Sequence, residues 1–453
     1  MKNNNNFNEE TDIIDPLSCD VKKQRAYLVI ILEKADTDES AHARVEELHS
    51  LTETMGVESI DFSLIRVRKE NSATLIGSGK VEELKKIADE KEIDLFIFDN
   101  DLSPRIQRNL EEELDICVID RTEVILQIFA DRAATKEASL QVELARLEYS
   151  LPRLTRKWTN LSRQRGGAKG NKGGGETQLE LDKRLVQSKI TKTKSELDTV
   201  KKIRESQRKN RLEQNIPSVA IIGYTNSGKS SLLKKLSNSD IYVENQLFAT
   251  LDTTSKKVKM PSGREMIFTD TVGFVSNLPH TLIDAFKSTL EEATWADVIL
   301  IITDASHLDL EKCYKTTIST LKDLDCLNKP TVIALNKIDN PLDIFVESRM
   351  KNLVKGPFSK ISVKEDQGLE ELLKTIEDKY YENTNKITFH FPVDRHDLVA
   401  YIIRNGIIDA IDYREDVIEV NSRIEPVFMG KVKEFAINYV EKEKVLDWVD
   451  KDN

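Results

Sequence analysis

The residues best equipped for chemistry begin at Gly223. Gly223-Tyr224-Thr225-Asn226-Ser227-Gly228-Lys229-Ser230 has the spacing G-x-x-x-x-G-K-S, preceded by the apolar run VAII and followed by SLLKKL. That context is a turn from a strand into a helix. Glycines let such a turn curl so that successive N–H groups point at phosphate oxygens. Lys229 then offsets β- and γ-phosphate charge, and the Ser230 hydroxyl is a ligand for Mg²⁺. Asp270-Thr271-Val272-Gly273 follows the strand-like MIFT. An Asp at a strand end beside a phosphate loop holds Mg²⁺ through water, and the Gly273 N–H reaches the γ-phosphate. Asn336-Lys337-Ile338-Asp339 ends the run TVIAL. The Asp339 carboxylate accepts two N–H bonds from the guanine edge, a donor pair that adenine lacks. Asn336 bonds the other edge of the base and ties its loop to the phosphate loop. Ser362-Val363-Lys364 supplies a last base-contacting loop. In this order the elements specify a site for GTP and GDP with Mg²⁺.

These residues need a scaffold. From Ile216 the pattern is a β/α series, with strands expected at Ser218–Ile222, Met266–Thr269, Val298–Thr303, Thr331–Leu335 and Ser359–Val363. Helical patterns such as Leu282–Ala293 and Leu369–Lys379 separate them. Such alternation implies a mostly parallel sheet covered on both faces. Upstream, strands at Tyr27–Leu32, Leu64–Val67, Leu95–Phe98 and Ile116–Ile119 alternate with helices at Ala41–Met55, Val81–Glu90 and Ile106–Leu114. They outline a smaller α/β layer ending near Ala134. Leu140, Leu144, Leu147, Leu151 and Leu154 then repeat at heptad spacing, with Pro152 disturbing the seam. A polar helix from Leu179 to about Arg208 carries Leu197, Val200 and Ile203 on one face. Between the two lies GGAKGNKGGG, residues 166–175, which no helix interior accommodates. The pattern is a helical hairpin with a glycine-rich loop. After Lys386, strands at Ile387–Phe391, Ala410–Tyr413 and Val417–Asn421 and a helix at Arg395–Asn405 form a small α+β unit.

The 453 residues suffice for several cores, and 32% of them are charged. The longest apolar stretches are far short of the ~20 residues of a spanning helix. The start, MKNNNNFNEETD, lacks the apolar stretch of a secretory signal. Cys19, Cys117, Cys313 and Cys326 stand far apart, which speaks against a zinc site or disulfide framework and for the cytoplasm. Net charge is −11, yet residues 153–211 hold 18 Lys and Arg against 6 Asp and Glu, a local +12. Two readings of this basic segment stand side by side: a contact for a polyanion, and a solvated helix surface. Its glycine loop likewise reads as a phosphate wrap or as a linker. Gly77-Ser78-Gly79-Lys80 resembles half a phosphate loop but has Thr74 and Val81 where Gly and Ser/Thr belong; it reads as a turn starting a helix.

With these motifs in place, the chain resembles the HflX family of ribosome-associated GTPases from about residue 25 to 440. Leu75-Ile76-Gly77-Ser78-Gly79-Lys80, Val118-Ile119-Asp120-Arg121-Thr122, Gly175-Glu176-Thr177-Gln178, FATLDTT from Phe248 and DTVGFVSNLPH from Asp270 carry the likeness. There is one departure: Asn171-Lys172-Gly173-Gly174 stands where the family usually has Arg and Pro. The resemblance implies that Thr250 closes over the γ-phosphate as a second hydroxyl on Mg²⁺. It also implies that Phe248, Ala249, Thr250, Leu251 and Asp252 line the nucleotide. Where many GTPases place a water-orienting Gln after the glycine, this chain has Phe274, so slow intrinsic turnover is expected. Asn226 has two open roles: ligating K⁺ that offsets transition-state charge, or bracing its own loop.

The expected architecture is therefore α/β and multidomain. It comprises a tail at 1–20, an N-terminal α/β domain at 21–135, a basic helical hairpin at 136–212, a P-loop GTPase domain at 213–384 and a C-terminal α+β domain at 385–453. The expected catalytic group is Lys229, Thr250, Gly273 and Asn226, with Ser230 and Thr250 on the metal. The resemblance implies a monomer bound to the large ribosomal subunit and its RNA, splitting or rescuing stalled ribosomes. A GTP-switched RNA-binding or assembly scaffold is the alternative, and an ATP-driven RNA-remodelling N-terminal domain is a third.

Overall fold

The computed structural model describes residues 24–32, 36–67, 71–154, 178–213, 216–237, 247–248, 251, 253–275, 292–307, 309–340, 346–354, 358–382, 384 and 386–437. The tail at 1–20, the glycine-rich loop and most of the expected helix at Leu282–Ala293 lie outside them.

Four parallel strands come first: β1 (Arg25–Leu32), β2 (Glu58–Arg66), β3 (Leu95–Phe98) and β4 (Cys117–Asp120), in the order β2-β1-β3-β4. β1 is buried along nearly its whole length, as a central parallel strand must be. Helices α1 (Asp38–Thr54), α2 (Ser78–Lys91), α3 (Pro104–Leu114) and α4 (Arg121–Arg132) complete this layer. The sequence pattern has no counterpart for α4, whose first turns are buried almost all round and show no polar face. β2 begins six residues before its expected start at Leu64. Its first half is largely polar and exposed, so period alone does not mark it. Gly77 is the N-cap of α2, and Lys80 pairs with Glu83 at 2.7 Å; the half-motif is a helix start.

Helix α5 (Lys136–Ser150) ends just ahead of Pro152, which sits in a 3₁₀ turn over Leu151–Arg153. It pairs with α6 (Gln178–Glu213). Leu140 and Leu144 meet Leu197, Ile190 and Val200, while Val142 and Ala145 pack the other way into the first layer's core. Ile203, expected on the packed face, is exposed; the seam ends before it. Asp120 ties the hairpin base to the sheet. Its Oδ1 accepts the Glu123 N–H at 3.0 Å and the Tyr149 hydroxyl at 2.9 Å, and its Oδ2 accepts the Leu102 N–H at 3.0 Å and faces Arg153 at 3.4 Å.

The second sheet has six strands: β5 (Ser218–Gly223), β6 (Thr254–Lys259), β7 (Glu265–Asp270), β8 (Val298–Asp304), β9 (Thr331–Asn336) and β10 (Phe358–Lys360), ordered β10-β9-β8-β5-β7-β6. All pairings are parallel except β6–β7. β6 is absent from the sequence pattern because lysines dominate it. α7 (Lys229–Ser237), α8 (Leu310–Asp323), α9 (Val346–Leu353) and α10 (Leu369–Tyr380) accompany this sheet. A third, antiparallel sheet, β11 (Lys386–Pro392), β13 (Val417–Ile424) and β12 (Gly406–Tyr413) in that order, packs on α11 (His396–Asn405). Arg264, at the β6–β7 turn, joins it to the second sheet through Glu425 at 2.9 Å and the Tyr381 hydroxyl. No described helix is long and apolar enough to cross a membrane.

Asp120→Ala removes a helix cap and leaves Arg153 without its buried carboxylate. Urea unfolding is expected to show a loss of about 3 kcal/mol, whereas Glu415→Ala, exposed between β12 and β13, is expected to stay within about 0.5 kcal/mol.

Candidate functional site

Parallel sheets present their chemistry outside the carboxyl ends of the strands, and the second sheet does so. β5 delivers Gly223, β7 delivers Asp270, β8 Asp304 and β9 Asn336, each at a strand's last residue. Two glycines make the turn after β5 possible. A Cβ on Gly223 would lie 2.2 Å from the Ile302 carbonyl oxygen, and one on Gly228 (φ +96°) 2.3 Å from Asn336 Nδ2. Both positions admit only hydrogen as a side chain.

Within the turn, Lys229 is buried and its ammonium donates to the Tyr224 carbonyl at 2.8 Å. Burial pulls its pKa down to about 8, against a smaller upward pull from the Asp270 carboxylate. The cost of holding that charge dry is thus fully present below pH 8 and relieved as pH rises from 8 toward the ordinary lysine value. Ser230 Oγ donates to Asp270 Oδ2 at 2.6 Å. Thr271 Oγ1 donates to the Ile221 carbonyl at 2.8 Å, fixing the end of β7 against β5. Gly273 abuts the loop: a Cβ there would sit 2.8 Å from Thr225 and 2.9 Å from Lys229 Nζ. Phe274, buried, is zipped to the loop, its N–H donating to Gly223 O at 3.1 Å and its carbonyl accepting Thr225 N–H at 2.7 Å. Asn226 is exposed with φ +59°. The Thr225 and Ser227 side-chain hydroxyls are buried without a hydrogen-bond partner among the described residues.

At the neighbouring strand ends, Asn336 is committed to protein at both ends of its amide. Nδ2 donates to Ser227 O at 2.8 Å, and Oδ1 accepts Val363 N–H at 3.2 Å. Its expected link between loops is present, and the same bonds lock the side chain. Asp339 Oδ1 accepts the Ser362 hydroxyl at 2.6 Å, with Lys364 at 3.9 Å from Oδ2. The Ser362 bond, more than the nearby lysines, holds this carboxyl below its usual range, so it is ionised at neutral pH. Lys337 (φ +63°) pairs with Asp304 at 2.8 Å, and Ile338 packs against the core. Phe248 (φ +54°) and Leu251 are buried; Ala249, Thr250 and Asp252 lie outside the described residues. No cluster of three or more His, Cys, Asp or Glu able to hold a metal occurs among the described residues.

The structure also brings in residues that the sequence pattern never nominated. The Tyr224 hydroxyl bonds Glu47 on α1, and the Phe248 ring sits edge-on to Phe129 of α4 at 4.7 Å between centroids. No motif or spacing marks a contact between residues 177 apart in the chain.

A parallel sheet with a glycine-bounded lysine turn, a hydroxyl–carboxylate pair and a carboxylate on the base-side loop defines a P-loop GTPase, an enzyme that binds GTP and GDP and hydrolyses GTP. Residues 42–130 match the family described as GTP-binding GTPase N-terminal, 132–211 its GTPase middle region, and 218–337 a family described as 50S ribosome-binding GTPase. The GTPase HflX of Treponema denticola is 52% identical over 342 residues, spanning 74% of this chain and 87% of that protein. That of Caldanaerobacter subterraneus is 39% identical over 427 residues, spanning 94% and 96%. A crystal structure of a GTP-binding protein from Sulfolobus solfataricus with GDP is 26% identical, covering 79% of this chain and 99% of that one, with a TM-score of 0.42. On the family matches and the sequence relatives, the chain belongs to the HflX family of GTPases.

Asp339→Asn exchanges an acceptor-only carboxylate for a mixed amide. GTP affinity is expected to fall by about 10⁴-fold while xanthosine triphosphate affinity rises, as nucleotide titrations would read. With burial pulling its pKa down to about 8, Lys229 is expected to be partly neutral at pH 8.5 before binding and to be returned to the ammonium if phosphate charge meets it. Calorimetry in two buffers of different ionisation enthalpy is expected to show proton uptake on GTP binding at pH 8.5 and far less at pH 7.5.

Proposed function

We propose that this chain binds GTP through Gly223–Ser230, Asp270–Gly273, Asn336–Asp339 and Ser362–Lys364, with Phe248–Asp252 along its edge, and that it uses hydrolysis to act on the large ribosomal subunit. The observation that carries the nucleotide half is the Ser230–Asp270 pair beside the buried Lys229. Two hard oxygen donors 2.6 Å apart suit Mg²⁺, with Thr250 as the further hydroxyl. When bound, Mg²⁺ neutralises charge on the β- and γ-oxygens. Lys229 turns from the Tyr224 carbonyl toward the phosphates, the Gly273 N–H meets the γ-phosphate, and Asp339 selects guanine. Phe274 offers no side chain able to orient water and is held in the core, so intrinsic turnover is slow and a partner accelerates it.

The ribosomal half is supported by the family description over 218–337 and by the local +12 at 153–211. The division of labour follows the units 21–135, 136–212, 213–384 and 385–453, with the basic hairpin meeting RNA phosphates. The protein works in the cytoplasm as a monomer, since one copy carries every residue invoked, and it splits or rescues stalled ribosomes. Sucrose gradients test this: purified 70S ribosomes with the protein and a non-hydrolysable GTP analogue are expected to separate into subunits. Binding without separation would replace splitting with the scaffold reading, and no co-sedimentation would remove the ribosomal half.

Asn226, exposed at the fourth loop position, is proposed to ligate K⁺ through its amide oxygen, a neutral donor suited to a large monovalent ion. Hydrolysis is expected to be faster in KCl than in NaCl at equal ionic strength. The gain should be below the about 10³–10⁵-fold of an arginine finger, and Asn226→Ala is expected to abolish it while GTP still binds.

A further inference from the structure

We infer that Glu47, on helix α1 of the first layer, is a positioning residue for GTP hydrolysis that acts through Tyr224. Tyr224 occupies the first variable place of the G-x-x-x-x-G-K-S turn. Its backbone already has two duties. The carbonyl holds the Lys229 ammonium at 2.8 Å, and the residue forms a parallel bridge with Phe274, directly after Gly273. Its side chain reaches from the nucleotide domain to the first layer. The ring lies 6.0 Å from His307, and the hydroxyl bonds the Glu47 carboxylate.

Glu47 is itself held from behind. Arg121, its side chain only 3% exposed, faces the second Glu47 oxygen at 3.0 Å and donates to Asp99 at 2.8 Å. Asp99 also takes Arg44 at 2.7 Å, and Arg44 reaches Asp36 at 3.0 Å. Buried charges alternating in this way have few alternative arrangements, because displacing one strands its neighbours without a partner. The carboxylate presented to Tyr224 thus has a buried cation fixed behind it. A second contact, Phe129 on Phe248, fixes the start of the FATLD segment from the same layer. α1, α4, Tyr224, Phe248 and Phe274 share one hydrophobic core. The peptide that parks Lys229 and the peptide that follows Gly273 are thus referenced to the first layer.

Positioning acts on the transition state more than on ground-state affinity, since a displacement of about 1 Å can cost about 10²-fold in rate. The inference rests on GTP hydrolysis at this site. The test is single-turnover and steady-state hydrolysis by the full chain without ribosomes, for Tyr224→Phe, Glu47→Ala and the double variant. Each single change is expected to lower kcat by about tenfold with KM and GTP affinity within about twofold. The double variant is expected to be no slower than either single one, because both remove the same contact. Leu110→Ala controls for general weakening. It loosens the opposite face of the first sheet, where Leu110 packs with Leu84 and Phe98, and is expected to keep the wild-type kcat. Wild-type kcat in both single variants would overturn the inference. So would multiplicative losses in the double variant, or an equal loss in Leu110→Ala. A wild-type chain that binds but does not hydrolyse GTP would instead overturn the reading on which the inference rests.

Discussion

The proposed nucleotide site is organised by one demand: the Lys229 ammonium is kept dry and must still stay charged. Desolvation works against this, lowering the Lys229 pKa to about 8. The structure answers with the Tyr224 carbonyl at 2.8 Å and with Asp270 nearby. Both must be exact in place to be of use. Gly223 therefore packs on the Ile302 carbonyl with no room for a Cβ, and Gly228 packs on Asn336. The turn is pressed against β8 at Gly223 and against Asn336 of β9 at Gly228.

The remainder of the second sheet follows from that compression. Parallel strands bring Asp270, Asp304 and Asn336 to the same edge as the lysine turn. Asn336 then cross-links the turn at Ser227 to the loop at Val363, and Ser362 orients Asp339. The base-side and phosphate-side loops thus form one hydrogen-bonded unit. At the far edge, Arg264 on the β6–β7 turn carries the third sheet through Glu425. β7 runs from that turn to Asp270 at its other end, so the C-terminal unit hangs from the end of the sheet opposite the lysine turn.

Motif-bearing positions were legible because their chemistry is local. The lysine turn, the Asp270 strand end and the Asn336–Asp339 loop are each short runs whose residue types have few other uses in that order. Strands buried on both faces, such as β5 and β8, were equally plain, since continuous apolar runs of that length have few other fates. Elements that break their own period were not. β6 is a run of lysines pinned by β7, β2 is polar over its first half, and α4 is buried nearly all round. In each, neighbours supplied the stabilisation that intrinsic pattern lacks.

From residue types alone came the class of the nucleotide, the expectation of guanine selection and of hard-cation chemistry at Ser230 and Asp270, and the alternation that makes a parallel sheet. Those follow from backbone sterics, hydrogen-bond complementarity and periodic burial, all of which act over a few residues. Only the tertiary structure decided that Tyr224 meets Glu47, that Phe248 meets Phe129, and that the third sheet hangs from Arg264. These are contacts between single side chains distant in sequence. A lone Glu, Tyr or Phe carries no spacing signal, and its partner is set by how two separately folded layers close on a common core.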